Sequence, residues 1–458
     1  MLCLALICAL LITFPVPVFA HAAGQYQPVG TLEVSGKFEQ MFDSALLIDM
    51  DGDVVLFSKE PDRIFSPTGS AVHLMSAYVV AMEADWEREI PVIDAVNELS
   101  SSVRKIGMQS NGERWLIKDL VAAMMLYSAQ DAALVLYDHV NSSEEEYALL
   151  MNRYAAALGM ESTKYVGALG GYESGQETTV SDLALLCQAA LEEEKLCSII
   201  TAASHDTVNG QTIKSRFDFM DNTHSRYDGR IKGIGEGSTA NSGTNIMLHL
   251  QDGERNLLFV GFTEADDQRG SEDNAIEILD YFLENTIRID VTEAVQPLLS
   301  ASEVKVQDGS IVTPAMAAEH CIITAEKSAG EDIMSNQSAF RLGTLPQLSQ
   351  APTEGASIGN VTLLYGDVPV SPIPLLAGKV VQLAVQPQEN DAQPSQDPVT
   401  ESIALSMDIP VYSAEDWMGP QREKDFLDQY GFYIITVAVI LLAAIVLLAA
   451  HAIRRKKQ

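Results

Sequence analysis

A serine and a histidine three residues apart stand near the start of an apolar stretch, TGSAVHLMSAYVV, from Thr68 to Val80. Side chains at positions i and i+3 of a helix share one face, so His73 could reach Ser70. A neighbouring imidazole can take the proton of a serine hydroxyl at neutral pH and turn it into a nucleophile. Alternatively, Ser70 caps the helix through its hydroxyl and His73 packs nearby. The residues alone leave both interpretations open.

The elements that must position this pair follow from hydrophobic periodicity. ALLIDMDGDVVLF has two apolar runs around Asp-Gly, which predicts a hairpin. Helical spacing of apolar residues predicts helices over 71–84, 116–140, 144–158 and 180–193. NIMLHL and NLLFVGFT alternate like paired strands around a second Asp-Gly turn, Asp252-Gly253, and AIEILDYFLENT closes this part as a helix. This order predicts an α/β (α+β) fold, an antiparallel sheet flanked by helices.

The character of the chain changes after about residue 299. Short strand-like runs with Gly and Pro turns, as in IGNVTLLYGDVPVSPIPLL, predict a small all-β domain. A Pro-, Gln- and Asp-rich stretch follows, which is typical of a flexible stalk. We therefore expect a first domain at 24–290, a small β domain at 291–385 and a stalk at 386–430.

Both ends of the chain carry long apolar segments. Residues 1–23 are apolar, carry Ala20-His21-Ala22 near their end and predict a secretory signal peptide. Residues 431–453 form an uncharged stretch that is long enough to cross a bilayer, and the basic tail RRKKQ follows it directly. We expect a single-pass protein of the cell membrane, with an extracytoplasmic body and a cytoplasmic tail at 454–458.

The charge balance and the metal-ligating residues narrow the possible functions. The net charge is −34, from 29 basic and 63 acidic residues, which makes nucleic acid a poor partner. Cysteines and histidines show neither the spacing of a metal site nor that of a disulfide framework. We predict neither a metal nor a cofactor.

Several stretches together resemble the D-alanyl-D-alanine carboxypeptidases, the low-molecular-mass penicillin-binding proteins with a serine β-lactamase-like fold. They are LIKDLVAAMMLYSAQDAALVLYDHV, MNRYAAALGMESTKY with TTVSDLALLCQAAL, and EGASIGNVTLLYGDVPVSPIPLL. The resemblance covers about 45–385. It implies a serine-type peptidase of peptidoglycan metabolism that acts on stem peptides ending in D-Ala-D-Ala and reacts with β-lactams.

Two of the three motifs of that family keep their serine. Ser-x-x-Lys becomes Ser70-Ala71-Val72-His73, so the resemblance places Ser70 at the nucleophile position and His73 at that of its base. Ser-x-Asn becomes Ser128-Ala129-Gln130, in which Gln130 carries the same amide one methylene further out.

The third motif departs most from the family pattern. Lys-Thr-Gly falls on Gly235-Glu236-Gly237, and the resemblance places the backbone oxyanion donors at Ser70 and Ser238. The family binds a substrate carboxylate at this strand, whereas Glu236 is expected to repel one. A rival register places Lys232 at the lysine position. An Asn-Pro-His-Gly-like loop of the family reads Gly-Ala-Leu-Gly at 167–170.

Three functions are consistent with these changes. The first is a working D-Ala-D-Ala carboxypeptidase that uses Ser70 and His73. The second is a non-catalytic relative that binds stem peptides or a cell-wall partner. The third is an enzyme of altered specificity, in which Glu236 recognises a cationic group. Because the changes fall in the motifs, we expect the fold to be kept and the chemistry to be impaired.

Overall fold

The structure is a computed structural model in which residues 26–30, 36–141 and 143–381 are described. All of them belong to one compact unit. No helix within these ranges is long and apolar enough to cross a membrane. The predicted signal peptide (1–23), stalk (386–430), membrane helix (431–453) and tail (454–458) lie outside the described residues.

The first part of the chain forms a five-stranded antiparallel sheet with strand order β2-β1-β9-β8-β7. The predicted hairpins around the two Asp-Gly turns are confirmed as β1–β2 and β8–β9. Because β7 is at the edge of the sheet, one side of its backbone is not paired with any strand in the described ranges, and such an edge can pair with another chain. The strands are β1 Ser44–Asp49, β2 Val54–Lys59, β7 Ile231–Thr239, β8 Gly243–Asp252 and β9 Arg255–Thr263. Two small hairpins accompany the sheet: β3 Glu89–Pro91 with β4 Arg114–Leu116, and β5 Ser204–Asp206 with β6 Thr212–Lys214.

Six helices pack on one side of this sheet or around each other, and a seventh covers the other face. They are α1 Ser70–Glu83, α2 Ile117–Tyr127, α3 Gln130–Val140, α4 Glu144–Ala157, α5 Val180–Glu192, α6 Glu194–Ile200 and α7 Gln268–Asn285. The helical pattern over 116–140 forms two helices rather than one. Ser128 has a left-handed backbone with φ 58°, which a continuous right-handed helix cannot contain.

Alternation along the strands separates two apolar cores. Met247, Leu258 and Val260 face the helices around α1, whereas Ile246, Leu257 and Phe259 face α7, as the two-residue period of a strand requires. Most residues of α1 are buried, because neighbouring helices and the sheet surround it. The two sequence-predicted residues at its start are therefore held by packing from several sides.

The second part of the chain is built on another antiparallel five-stranded sheet, with order β11-β12-β16-β15-β14. Its elements are β10 Thr286–Asp290, α8 Thr292–Ser300, β11 Val304–Lys305, β12 Ile311–Met316, β13 Ile322–Glu326, α9 Gly330–Ser335, β14 Phe340–Leu342, β15 Ser357–Tyr365 and β16 Val368–Val381. The sequence predicted an all-β region here, whereas the structure also contains the helices α8 and α9. Helix α8 contains Pro297, which is unfavourable inside a helix, but it buries Val295 and Leu299 in the core of this part.

A buried polar contact joins the two parts. The hydroxyl of Thr324 donates to Asp49 at 2.7 Å, and Arg255 lies 3.7 Å from the same carboxylate. Burial raises the pKa of Asp49, and the hydrogen bond and the two neighbouring arginines oppose that effect. This contact fixes β13, and with it the second part of the chain, against the end of β1.

Candidate active site

Ser70 is the first residue of α1, and it does not cap that helix. The residue at the N-cap is Gly69, and no side chain bonds the first turn. Within the described residues, the hydroxyl of Ser70 has no hydrogen-bond partner, and its backbone N–H is likewise unused. Free N–H groups at a helix start carry partial positive charge. The serine therefore combines an unengaged hydroxyl with an adjacent donor for a developing oxyanion.

The loop before Ser70 is tied to two other segments. The backbone N–H of Thr68 donates to Asn245 on β8 at 3.0 Å, and that of Gly69 donates to the Gly170 carbonyl at 2.8 Å. Ser70 itself is only 3% exposed. Its position is therefore set by the sheet on one side and by the 167–170 loop on the other.

The side chain of His73 is directed toward that loop. Its Nε2 lies 3.0 Å from the carbonyl oxygen of Leu169, which can only accept, so Nε2 carries the proton. Nδ1 is buried and has no partner among the described residues. The sequence correctly brings His73 to the same end of α1, but no hydrogen bond joins it to Ser70 in the described structure.

The protonation state of His73 follows from its surroundings. Burial lowers the pKa of His73 to about 4; the bond to Leu169 opposes this shift, and the charge of Arg104 adds to it. The imidazole is therefore neutral at physiological pH. A base with so low a pKa has little driving force to take a serine proton, because a general base works best with a pKa near the working pH.

The second-motif residues lie at the break between α2 and α3. Ser128 ends α2 in the left-handed conformation, and Gln130 begins α3. Such a conformation costs a non-glycine residue roughly 1–3 kcal/mol and is enriched at functional sites. Neither side chain has a hydrogen-bond partner within the part of the chain that is described. Both remain available to a ligand.

The third-motif strand β7 lies directly against Ser70. A Cβ at Gly235 would come within 2.5 Å of the Ser70 hydroxyl oxygen, and one at Gly237 within 2.0 Å of the Thr68 carbonyl oxygen. Only glycine fits such close approaches. Ser238 follows them, and its hydroxyl donates to Asp266 at 2.6 Å and lies 2.7 Å from that of Thr244. The register that places the third motif on Gly235-Glu236-Gly237 is therefore the one that brings a motif residue against Ser70.

The structure places Gly235, and not Lys232, beside the serine. Lys232 is three residues from Gly235, about 10 Å along an extended strand. Its ammonium donates to the Gly229 carbonyl at 2.7 Å, at the far end of β7.

Glu236 points to the opposite face of the sheet from Ser70, where α7 lies. One of its oxygens accepts a hydrogen bond from Gln268. The other is buried and has no hydrogen-bond donor among the described residues, and both the carboxyl group of Glu272 and the charge of Arg216 act on this side chain. Two carboxyl groups can share a hydrogen bond only if one of them keeps its proton. Glu272 is paired with Arg226 at 2.8 Å, so the proton stays on Glu236.

This arrangement changes the expected charge of the third motif. Burial, followed by the Glu272 carboxyl, raises the pKa of Glu236 to about 9. The side chain is therefore neutral at physiological pH. The expected repulsion of a substrate carboxylate assumed an ionised Glu236, and the geometry does not provide one.

Comparisons with known proteins identify the family. Residues 34–265, just over half of the chain, match the family described as D-alanyl-D-alanine carboxypeptidase. The chain belongs to this family. The match contains all of the candidate residues from Ser70 to Ser238, so the three altered motifs lie within a recognisable family domain.

Individual relatives are distant. The chain is 25% identical to D-alanyl-D-alanine carboxypeptidase DacD of Escherichia coli (strain K12) over 48% of its own length and 58% of that protein. It is 24% identical to DacF of Bacillus subtilis (strain 168) over 56% and 64% of the two chains. The matches thus span less than two thirds of these relatives. Penicillin binding protein 5 from Haemophilus influenzae shares the fold, with a TM-score of 0.59 at 18% identity over 75% of this chain and 98% of that one.

Two arginines of the site were missed by sequence reasoning. The carbonyl of Arg104 accepts the N–H of Gln130 at 2.8 Å, and the N–H of Arg216 donates to the carbonyl of Leu126 at 3.0 Å. They lie 24 residues before and 88 residues after Ser128 in the sequence, outside the three family motifs. In the sequence, these two residues stand out only as basic residues in an acidic chain. This does not indicate where the fold places them.

The close contact between β7 and the Ser70 loop leads to a direct test. We expect Gly237→Ala to destabilise the protein by about 3 kcal/mol, because its methyl group would overlap the Thr68 carbonyl and force two backbones apart. Urea unfolding measures this change. Gly171→Ala is the matched control, since an added Cβ there meets nothing within 4 Å. Equal stability of the two variants would contradict the contact.

Proposed function

We propose that this chain is a membrane-anchored, extracytoplasmic protein of peptidoglycan metabolism, whose cleft binds stem peptides ending in D-Ala-D-Ala with little or no turnover. Family membership supports the ligand class. The predicted signal peptide and membrane helix support the location. Both segments lie outside the described residues, so location rests on the sequence alone.

One observation carries the proposal of impaired chemistry. Ser70 keeps the position and freedom of a nucleophile, whereas His73 is bonded to Leu169 and has a pKa lowered to about 4. Loss of an effective general base typically costs roughly 10²–10⁴-fold in rate. A helix N–H for the oxyanion survives, but an oxyanion donor without an efficient base gives only slow acylation.

The binding part of the proposal depends on what the cleft retains. Ser128 and Gln130 are unengaged, and β7 offers a free edge to an extended peptide. Recognition of a cationic group by Glu236 loses its basis, because this side chain is neutral and faces α7. The non-catalytic candidate is therefore favoured over the enzyme of altered specificity.

The proposal predicts the behaviour of Ser70 toward two ligands. Wild type and Ser70→Ala should bind diacetyl-Lys-D-Ala-D-Ala equally well. Wild type should release D-Ala no faster than the variant, because the serine lacks an effective base. Calorimetry gives the affinities, and chromatography gives the released D-Ala.

Intact mass after incubation with a reporter penicillin provides an independent measurement. We expect no stable adduct on the ectodomain. An adduct that forms on wild type and is absent from Ser70→Ala would overturn the non-catalytic proposal and restore a working Ser70. Failure of the peptide to bind either protein would overturn the proposed ligand class.

A further inference from the structure

A cavity of about 510 Å³ lies where the two parts of the chain meet, away from the candidate active site. Its walls come from the β1–β2 turn, from the ends of three helices and from the strands β15 and β16. Ser70 begins α1, and Met82, which lines the cavity, lies 12 residues later, about 18 Å along the helix axis. The cavity is therefore a separate site.

Most of the lining of this junction cavity is apolar or aromatic. Tyr78 is half-buried, and its ring packs edge-on against Tyr154 with the centroids 6.0 Å apart. Sites for small molecules typically have volumes of roughly 300–1,000 Å³ and mostly apolar walls with a few polar groups. The volume and the walls thus suit a small organic molecule. The apolar lining includes Met50, Tyr78, Leu158, Leu185, Pro372 and Pro374.

The charged side chains that line the cavity are all acidic. Among the described residues they are Asp51, Asp53, Glu192 and Glu193. Asp51 is paired with Arg288 at 2.6 Å, whereas the carboxylates of Glu192 and Glu193 have neither an ion pair nor a hydrogen bond within the described ranges. Their charges act on the cavity wall, since burial, and then Glu193 and Glu192, raises the pKa of the Tyr78 phenol.

Three helices end at this cavity and add to its negative potential. Met82, Ala157 and Glu192 line it, and each is the last or next-to-last residue of its helix, α1, α4 or α5. A helix C-terminus carries about half a negative elementary charge, which basic residues there can balance. None of the three helices has a basic residue in its last turn. The backbone therefore favours a cation here independently of the acidic side chains.

We propose that the junction cavity binds a small organic cation, an ammonium or guanidinium group attached to an apolar body. The apolar body packs against Leu158 and Leu185, and the charged group faces Glu192 and Glu193. The ring of Tyr78 adds attraction, because a cation is stabilised over an aromatic face. An occupant contacts both parts of the folded chain, so it also raises the unfolding temperature. This site is independent of peptide binding at Ser70.

A cationic probe and its neutral analogue test the proposal. The cation is dansylcadaverine, and the neutral analogue is N-pentyldansylamide, which has the same apolar body without the ammonium. The emission of both changes on transfer to an apolar site, so titration of the purified protein gives their affinities. Wild type should bind the cation about tenfold more tightly, because several partly exposed charges each contribute modestly. In Glu192→Gln/Glu193→Gln, this preference should fall to about twofold, because only the helix termini remain unbalanced.

Matched variants separate binding from folding. Glu145→Gln/Glu146→Gln removes two neighbouring exposed glutamates from the first turn of α4, at the other end of that helix, and should keep the tenfold preference. Ala157→Trp places an indole in the cavity and should abolish binding of both probes. Ala156→Trp changes the preceding residue, which is also exposed but does not line the cavity, and should leave both affinities unchanged. Thermal unfolding confirms that each variant is folded.

Every other outcome counts against the site. Equal binding of the two probes by wild type, or no binding of either, would overturn the proposed cation. A tenfold preference that survives Glu192→Gln/Glu193→Gln would show that these glutamates do not recognise the charge. Binding that survives Ala157→Trp would place the probe elsewhere on the protein.

Discussion

Replacing Glu236 by glutamine is expected to stabilise the protein, by on the order of 3 kcal/mol at about pH 8 and by less than about 1 kcal/mol at about pH 5. The carboxyl of Glu236 is buried between β7 and α7 and faces a second carboxyl, that of Glu272. These surroundings hold its proton, with a pKa of about 9 instead of the usual 4.5. Glutamine is neutral at every pH and does not incur that cost.

The direction with pH follows from the protons bound in each state. Below about pH 4.5, both the folded and the unfolded chain keep the proton on Glu236. Between that pH and about 9, the unfolded chain releases it and the folded chain does not. Stability therefore falls as pH rises through this range. Glu236→Gln removes this decrease in stability and keeps the contacts of the side chain.

Glutamine fits the contacts of Glu236 without rearrangement. Its amide oxygen can accept from Gln268, and its NH₂ group can donate to Glu272. Urea unfolding of both proteins at several pH values measures the difference. Glu284→Gln, an exposed position on the same helix α7, should show no comparable change. A Glu236→Gln variant that is less stable than wild type at about pH 8 would contradict a protonated Glu236.

Glu236 and His73, the two titratable residues that replace family residues in the motifs, have pKa values shifted in opposite directions. The pKa of His73 is about 4 in the folded protein, against an ordinary value of 6.5, so its contribution to stability is present above 6.5 and is lost as pH falls through 4. Glu236 has the opposite dependence. Both titratable replacements in the motifs are thus neutral near pH 6–7.

Local patterns predicted much of the fold. The two Asp-Gly hairpins and helices α1, α4 and α5 lie within one or two residues of their predicted bounds, because each buries one apolar stripe or one strand face. The positions of Ser70, Ser128 and Gly235 came from resemblance to the family. The structure brings Gly235 directly against Ser70, and Ser128 lies at the break between α2 and α3.

Other properties of the site depend on contacts that local sequence does not encode. The break at Ser128 requires a left-handed residue, which the apolar periodicity of 116–140 does not reveal. The charge of Glu236 depends on Glu272, 36 residues away in the sequence. The hydrogen bond of His73 goes to Leu169, 96 residues away. Each is a tertiary effect that overrides what the residue type suggests.

Asp131 ties the loop at 106–108 to the start of α3. Its carboxylate is 1% exposed and accepts three backbone N–H groups from the loop and one from Ala132. We expect Asp131→Ala to destabilise the protein by about 4 kcal/mol, because it leaves several buried donors without an acceptor. Urea unfolding measures the loss. Asp138→Ala, an exposed position on the same helix α3, should cost little.

A conservative variant refines this prediction. Asp131→Asn keeps one acceptor oxygen for the backbone N–H groups of the loop, so its stability should lie between those of Asp131→Ala and wild type. Equal stability of Asp131→Ala and Asp138→Ala would contradict the role of the Asp131 carboxylate as the acceptor of these N–H groups.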